Sequence, residues 1–188
     1  MDYLNEISVP QPTSRLPKNF RLLAIVGIIM IILSFVIIVF GILNSKDEPT
    51  PTDLAVRLKT LETVSRDTQE NLSSGDLRSL NTNLTLALSN SSREMNAFLG
   101  EKGANAIDKA VKENPDTARL TKTFTDADLN AVISRTYPRE MAYELNVTLL
   151  LLKSLYDETE NAKFKDYLSS TYDDLDPIYK QLSKFNQD

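Results

Sequence analysis

The stretch Leu22–Ser45 runs for 24 residues without a charge, and its only polar side chains are Ser34, Asn44 and Ser45. A helix of about 20 apolar residues crosses a bilayer core of about 30 Å. The stretch therefore predicts one membrane span, which divides the chain into a tail (1–21), a transmembrane segment (22–45) and a polar remainder. A cleaved leader carries an apolar run of about 7–15 residues followed by a small-residue cleavage site. Here the run from Leu22 to Leu43 is 22 residues long and leaves through Phe40-Gly41-Ile42-Leu43-Asn44. The chain holds no cysteine, which excludes lipid attachment at a lipobox. An uncleaved signal anchor is the expectation.

The flanks set its orientation. Arg15, Lys18 and Arg21 precede the stretch, whereas Lys46 follows it and is at once offset by Asp47 and Glu48. Lys and Arg are retained on the cytoplasmic side. The tail is thus expected in the cytoplasm and the remainder outside it, in the plasma membrane of a cell. Val9-Pro10-Gln11-Pro12 and Leu16-Pro17 give the tail the composition of a disordered leader. Gly27, Ser34 and Gly41 recur at seven-residue spacing within the span. Such small residues permit close helix approach and are the basis for a homo-oligomer formed through the span, with no complete small-xxx-small pair present.

Of 21 Lys+Arg and 26 Asp+Glu, residues 1–21 hold three bases and two acids, which leaves 18 and 24 beyond the tail and a formal charge of −6. An acidic domain repels nucleic acid and anionic headgroups, so neither is expected as a ligand. The absence of His removes the commonest general base and metal ligand, and the absence of Cys removes disulfides and thiolate chemistry. A cysteine-free exported domain suits a bacterial envelope better than an animal surface. Four Asn-X-Ser/Thr sequons, at Asn71, Asn83, Asn90 and Asn146, are read as coincidental.

Residues 46–53 carry Pro49 and Pro51 alternating with Thr and predict an extended spacer, with Thr52 or Asp53 capping the next helix. From 54 to 188 the pattern is helical throughout. Leu54, Leu58, Leu61, Ser65, Thr68 and Leu72 alternate spacings of four and three, the seam of a bundle helix. Gly75 ends that pattern. A second helix is expected from Asp76 to Leu99 with Leu77, Leu80, Leu84, Leu88, Ser91, Met95 and Phe98 on one face, stopping at Gly100 and Gly103. A short amphipathic piece through Ile107 and Val111 follows. Residues 116–125 read as a loop, and Thr125 as the cap of a helix with Leu129, Val132 and Ile133 on its face.

A further helix is expected from Pro138 to Thr159, capped by Thr136, with a stripe of Met141, Leu145, Thr148, Leu149, Leu152, Leu155 and Tyr156. Val147, Leu150 and Leu151 lie off that stripe, which predicts a central element covered on most sides. The last helix, Ala162 to Phe185, should kink or break before Pro177. The fold class expected is all-α: one N-terminal transmembrane helix and an extracytoplasmic antiparallel bundle of four to six helices.

Few groups in this pattern carry chemistry. Glu140 and Glu144 lie one turn apart, with Glu94 on an earlier helix, but the Glu-x-x-His pairs of dimetal bundles are missing. Asp173, Asp174 and Asp176 lack the glycine and distal Glu of a calcium loop. Ser183-Lys184 and Lys153-Ser154 are adjacent pairs, not nucleophile and base on one helix face. The expectation is a non-enzyme with no catalytic, cofactor-binding or metal residues. Tyr combines apolar area with a polar tip and is enriched at interfaces. Tyr172 and Tyr179 are accordingly the candidate partner-facing residues, in a membrane-anchored module that presents a surface to a protein partner. A ligand- or metal-binding bundle tethered to the membrane is the alternative.

Overall fold

A computed structural model describes residues 49–185, which form five α-helices and one 3₁₀ turn. They are α1 (Pro51–Thr68), α2 (Gly75–Glu113), α3 (Pro115–Leu129), α4 (Ile133–Glu158) and α5 (Ala162–Lys184), with the 3₁₀ turn Gln69–Asn71 after α1. No strand occurs among the described residues. None of their helices is long and apolar enough to cross a membrane. The stretch 22–45, on which the span expectation rests, lies outside the described residues, as does the tail.

The spacer is shorter than its prolines suggested. Thr50 is the N-cap of α1: its hydroxyl accepts from Asp53 N, and the Asp53 carboxylate accepts from Thr50 N at 2.8 Å. Pro51 occupies the first helical position, where a missing N–H leaves no bond unmade. The helix therefore starts ahead of Thr52 and Asp53, the residues expected to cap it. The α1 seam is otherwise as expected, with Leu54, Leu58, Leu61, Ser65, Thr68 and Leu72 all buried.

Ser74 caps α2, which buries Leu77, Leu80, Leu84, Leu88, Ser91 and Met95 on one face. Phe98 stays 42% exposed, although its ring meets those of Phe164 and Tyr167 at 5.2 and 5.3 Å. The helix is interrupted at Gly100, whose φ of 70° and ψ of 174° belong to glycine alone. Gly103 is required for a different reason, since a Cβ there would lie 2.7 Å from the Leu99 Cβ. Beyond this kink Ile107 and Val111 are buried, and Asn114 donates to Thr60 at 3.4 Å, halfway along α1.

Residues 116–125, expected as a loop, are helical. Asn114 caps α3 by accepting from Asp116 N at 2.9 Å, Pro115 takes the first helical position, and Leu120, Phe124 and Ala127 form its buried face. Thr125 is no cap; its hydroxyl donates to Thr121 O at 2.9 Å within the helix. The helix ends in a Schellman motif, with Val132 N bonded to Ala127 O and Ala131 N to Asp128 O. Ala131, at φ 56°, fills the left-handed position where glycine is usual. Leu129 is left 80% exposed and Val132 41% exposed, against the expectation that they face the core.

The helix α4 begins a turn earlier than Thr136–Pro138 suggested. Ile133 and Tyr137 are buried on the same face as Met141, so packing extends the helix N-terminally. Pro138 near its start removes only one intrahelical bond. The expected stripe is buried from Met141 to Leu155, but Tyr156 is 42% exposed. Leu150 and Tyr143 are 61% and 63% exposed, so α4 has an open face and is not covered on most sides. Asn161 caps α5, which continues unbroken through Pro177. Leu168 and Leu175 before the proline and Ile178 and Leu182 after it are buried, while the proline ring faces solvent. The core is one cluster drawn from all five helices.

Candidate functional site

The carboxylates singled out by sequence do not form a shared acidic site. Glu144 is 3% exposed, and both its oxygens are held by arginines. Arg57 Nη2 donates to Oε2 at 2.6 Å and Arg119 Nη2 to Oε1 at 2.5 Å. Arg57 also donates to Thr148 Oγ1 at 3.0 Å and to the Glu144 carbonyl at 3.2 Å. Arg119 reaches Asp116 Oδ1 at 3.2 Å and lies 3.9 Å from Glu140. Burial opposes the charge on Arg119, but the bonds to Glu144 and Asp116 outweigh it and raise its pKa. The cluster clamps α1, α3 and α4 together at one level. Among the described residues no group of three or more His, Cys, Asp or Glu is placed to share a metal ion.

The other chemical candidates are engaged locally. Asp173 and Asp174 face solvent, and Asp176 accepts from Lys180 at 2.6 Å, which raises the lysine pKa. Ser154 Oγ donates to Glu158 at 3.0 Å, and Ser183 Oγ to Lys180 O at 3.1 Å. Glu94 is exposed on α2.

Two buried polar clusters were not anticipated. Tyr137, Asn81 and Ser65 are all fully buried. The Tyr137 hydroxyl donates to Asn81 Oδ1 and lies 3.3 Å from Ser65 Oγ, while Asn81 Nδ2 donates to Ser65 O at 2.9 Å and to Gln69 Oε1. Burial drives the Tyr137 phenol well above its ordinary pKa, and the Ser65 bond opposes that rise without cancelling it. Glu62 on α1 is also buried and accepts from Lys59 at 3.0 Å and from Arg66. Ser65 and Thr68 looked like weak positions in an apolar seam. Such polar residues at seam positions were the available signal for the first network.

The partner-facing candidates lie on one surface. Tyr179 is half-buried in an open groove of about 410 Å³, flanked by Leu182 of α5 and by Arg139, Ala142, Tyr143 and Asn146 of α4. Tyr172 is 37% exposed and stands seven residues earlier on α5. Leu150 stands seven residues after Tyr143 on α4. Each helix thus repeats an apolar or aromatic side chain after two turns on one face, both exposed on α4 and, on α5, exposed Tyr172 followed by half-buried Tyr179. Sequence reasoning named the two tyrosines of α5 and missed Tyr143 and Leu150, having assigned the middle of α4 to a covered core.

No protein-family model, curated protein or solved structure matches the chain.

Proposed function

We propose that this chain is a single-pass membrane protein with its N-terminus in the cytoplasm, whose extracytoplasmic helical domain presents a non-enzymatic docking surface to a protein partner. The observation that carries the reading is the exposed set Tyr143 and Leu150 on α4 and Tyr172 on α5, beside the half-buried Tyr179 in its groove. Aromatic and aliphatic side chains of this kind, bordered by Arg139, have the composition of interface cores. A ligand- or metal-carrier reading draws less support, because the carboxylates it needs already hold Arg57 and Arg119.

A photo-cross-linking residue placed at Tyr143, Leu150 or Tyr172 in native membranes should give a recurrent adduct that the same residue at exposed Lys109 does not. Equal or absent adducts at all four positions overturn the docking surface. Protease added to spheroplasts should remove the helical domain, and complete protection would refute the orientation.

A further inference from the structure

We infer that the end of the bundle carrying Pro51 rests directly on an uncharged lipid surface, through Phe98, Leu99 and Tyr156. The inference rests on the reading of residues 22–45 as a membrane span. Three chain segments meet at this end: the start of α1, the kink after Leu99 and the α4–α5 turn. Pro49, Pro51, Phe98, Leu99 and Phe164 line an open hollow of about 420 Å³ there, with Glu158 and Asn161 at its α4–α5 side. Phe98 and Tyr156 are each 42% exposed, and Lys165 lies 5.2 Å over the Tyr156 ring.

Chain length argues for the occupant. Only residues 46–50 separate Ser45, the last residue of the apolar stretch, from the first helical residue of α1. At about 3.3–3.6 Å per residue, a fully extended link of this length reaches about 20 Å. A span that ends at Ser45 therefore holds the Pro51 end within that distance of the bilayer surface. Aromatic side chains with one polar end favour the water–lipid boundary.

Hydrogen bonding and charge agree with such a site. The backbone at this end is capped by its own side chains, with Thr50 and Asp53 bonded reciprocally and Asn161 accepting from Phe164 N at 3.2 Å. Donors satisfied in this way lose less on leaving water. Along the chain, the acids Glu101, Asp157, Glu158 and Glu160 outnumber the bases Lys102, Lys163 and Lys165 at this end, so the rim carries no net positive charge. Apolar contact with a zwitterionic surface, not attraction to anionic lipid, is the interaction expected.

The chain has no Trp, so a single introduced Trp reports its own surroundings. The full chain is reconstituted in phosphatidylcholine vesicles containing brominated lipid, bearing F98W, Y156W or L129W. Leu129 lies at the other end of the bundle, where Asn71 bonds Asp128 at 2.6 Å. Bromolipid should quench Trp at 98 and 156 severalfold more than Trp at 129, equally at low and high salt. Two variants guard against local misfolding of either one. Equal quenching at all three sites overturns the inference, as does fluorescence at 98 and 156 that bromolipid leaves unchanged, the result of a protein or second copy covering this end. Flotation after alkaline extraction reads the span separately. A chain that fails to float loses both readings, whereas one that floats without preferential quenching loses the docking alone.

Discussion

Replacing Tyr137 by Phe removes one oxygen from the centre of the domain and leaves the ring in place, 5.0 Å from that of Phe124. The lost hydroxyl is the donor to Asn81 Oδ1 and the neighbour of Ser65 Oγ, both fully buried. Stranding a buried carbonyl costs about 1–3 kcal/mol, and a lost hydroxyl contact about 1 kcal/mol more, so Y137F should destabilise by about 2–4 kcal/mol. Domains of this size are stable by about 5–15 kcal/mol, so the change is a large fraction of the total. The unit Pro49–Asp188 contains the whole described core and can be measured by urea denaturation with far-UV circular dichroism. With a urea slope of about 2 kcal/mol per molar, the midpoint should fall by about 1–2 M. Y143F, at a residue 63% exposed, is the control and should change stability by less than about 0.5 kcal/mol. A Y137F protein as stable as this control would refute the claim that the network is buried and complete.

Alkaline titration supplies the second arm of that experiment. Burial raises the phenols of Tyr137 and Tyr167, and Glu94 adds to the rise at Tyr167. In both cases the folded pKa lies above the unfolded value of about 10, so the folded protein keeps a proton that the unfolded chain releases. Stability from this source is intact below pH of about 10 and is lost as pH rises from there toward the folded pKa. Each tyrosine removes up to about 1.4 kcal/mol per pH unit in that window, so the parent should lose up to about 2.7 and Y137F about half as much. The gap between the two proteins should therefore narrow above pH of about 10; a gap that stays constant would mean Tyr137 ionises freely.

Glu144→Gln leaves Arg57 and Arg119 facing a neutral amide. It should cost about 2–4 kcal/mol by urea denaturation, less than the about 3–5 kcal/mol for breaking a fully buried pair because both arginines are partly exposed. Gly100→Ala forces an alanine to φ 70°, ψ 174°; with open space around its Cβ the loss of about 1–3 kcal/mol is backbone strain, read as a lower thermal midpoint. Ala131→Gly should act in the opposite direction, raising that midpoint by an amount equivalent to about 0.5–1 kcal/mol, since glycine fits φ 56° without a Cβ penalty. Thr50→Ala removes the cap of α1 and should cost about 1 kcal/mol, seen first as faster amide exchange in the initial turn.

The sequence was most readable where one face of a helix is apolar and least readable where end signals compete. The seams of α1, α2, α4 and α5 follow periodicity alone, because burial of Leu at spacings of three and four leaves little choice of face. The helix α3 was missed although its signals are present: Asn114 as cap, Pro115 at the first position, Asp116 in the first turn, then Leu120, Phe124 and Ala127 in phase. Thr125-Asp126 offered a rival start, and the C-terminal stop was muted because alanine stands at 131 where glycine would have announced it. Pro138 and Pro177 misled in the same way, since a local breaker signal yields when packing continues on both sides of it.

The polar interior was hidden for a different physical reason. Periodicity records which positions are apolar, so a buried Ser, Asn or Glu registers only as a gap. Ser65 and Thr68 continue the phase of Leu54, Leu58 and Leu61 and are buried, and Glu144 lies between Met141 and Thr148 on the inner side of α4. A polar residue in phase with an apolar stripe is thus a prompt to look for its partner on another helix, here Tyr137 for Ser65 and Arg57 for Glu144. The candidate surface has the converse signature: Tyr143 and Leu150 are apolar or aromatic residues out of phase with the stripe of their own helix. Out-of-phase positions on α4 were read as evidence of a covered helix, but α5 packs along only one of its sides. What remains exposed beside Tyr172 and Tyr179 is the part of the domain whose composition its own fold does not explain.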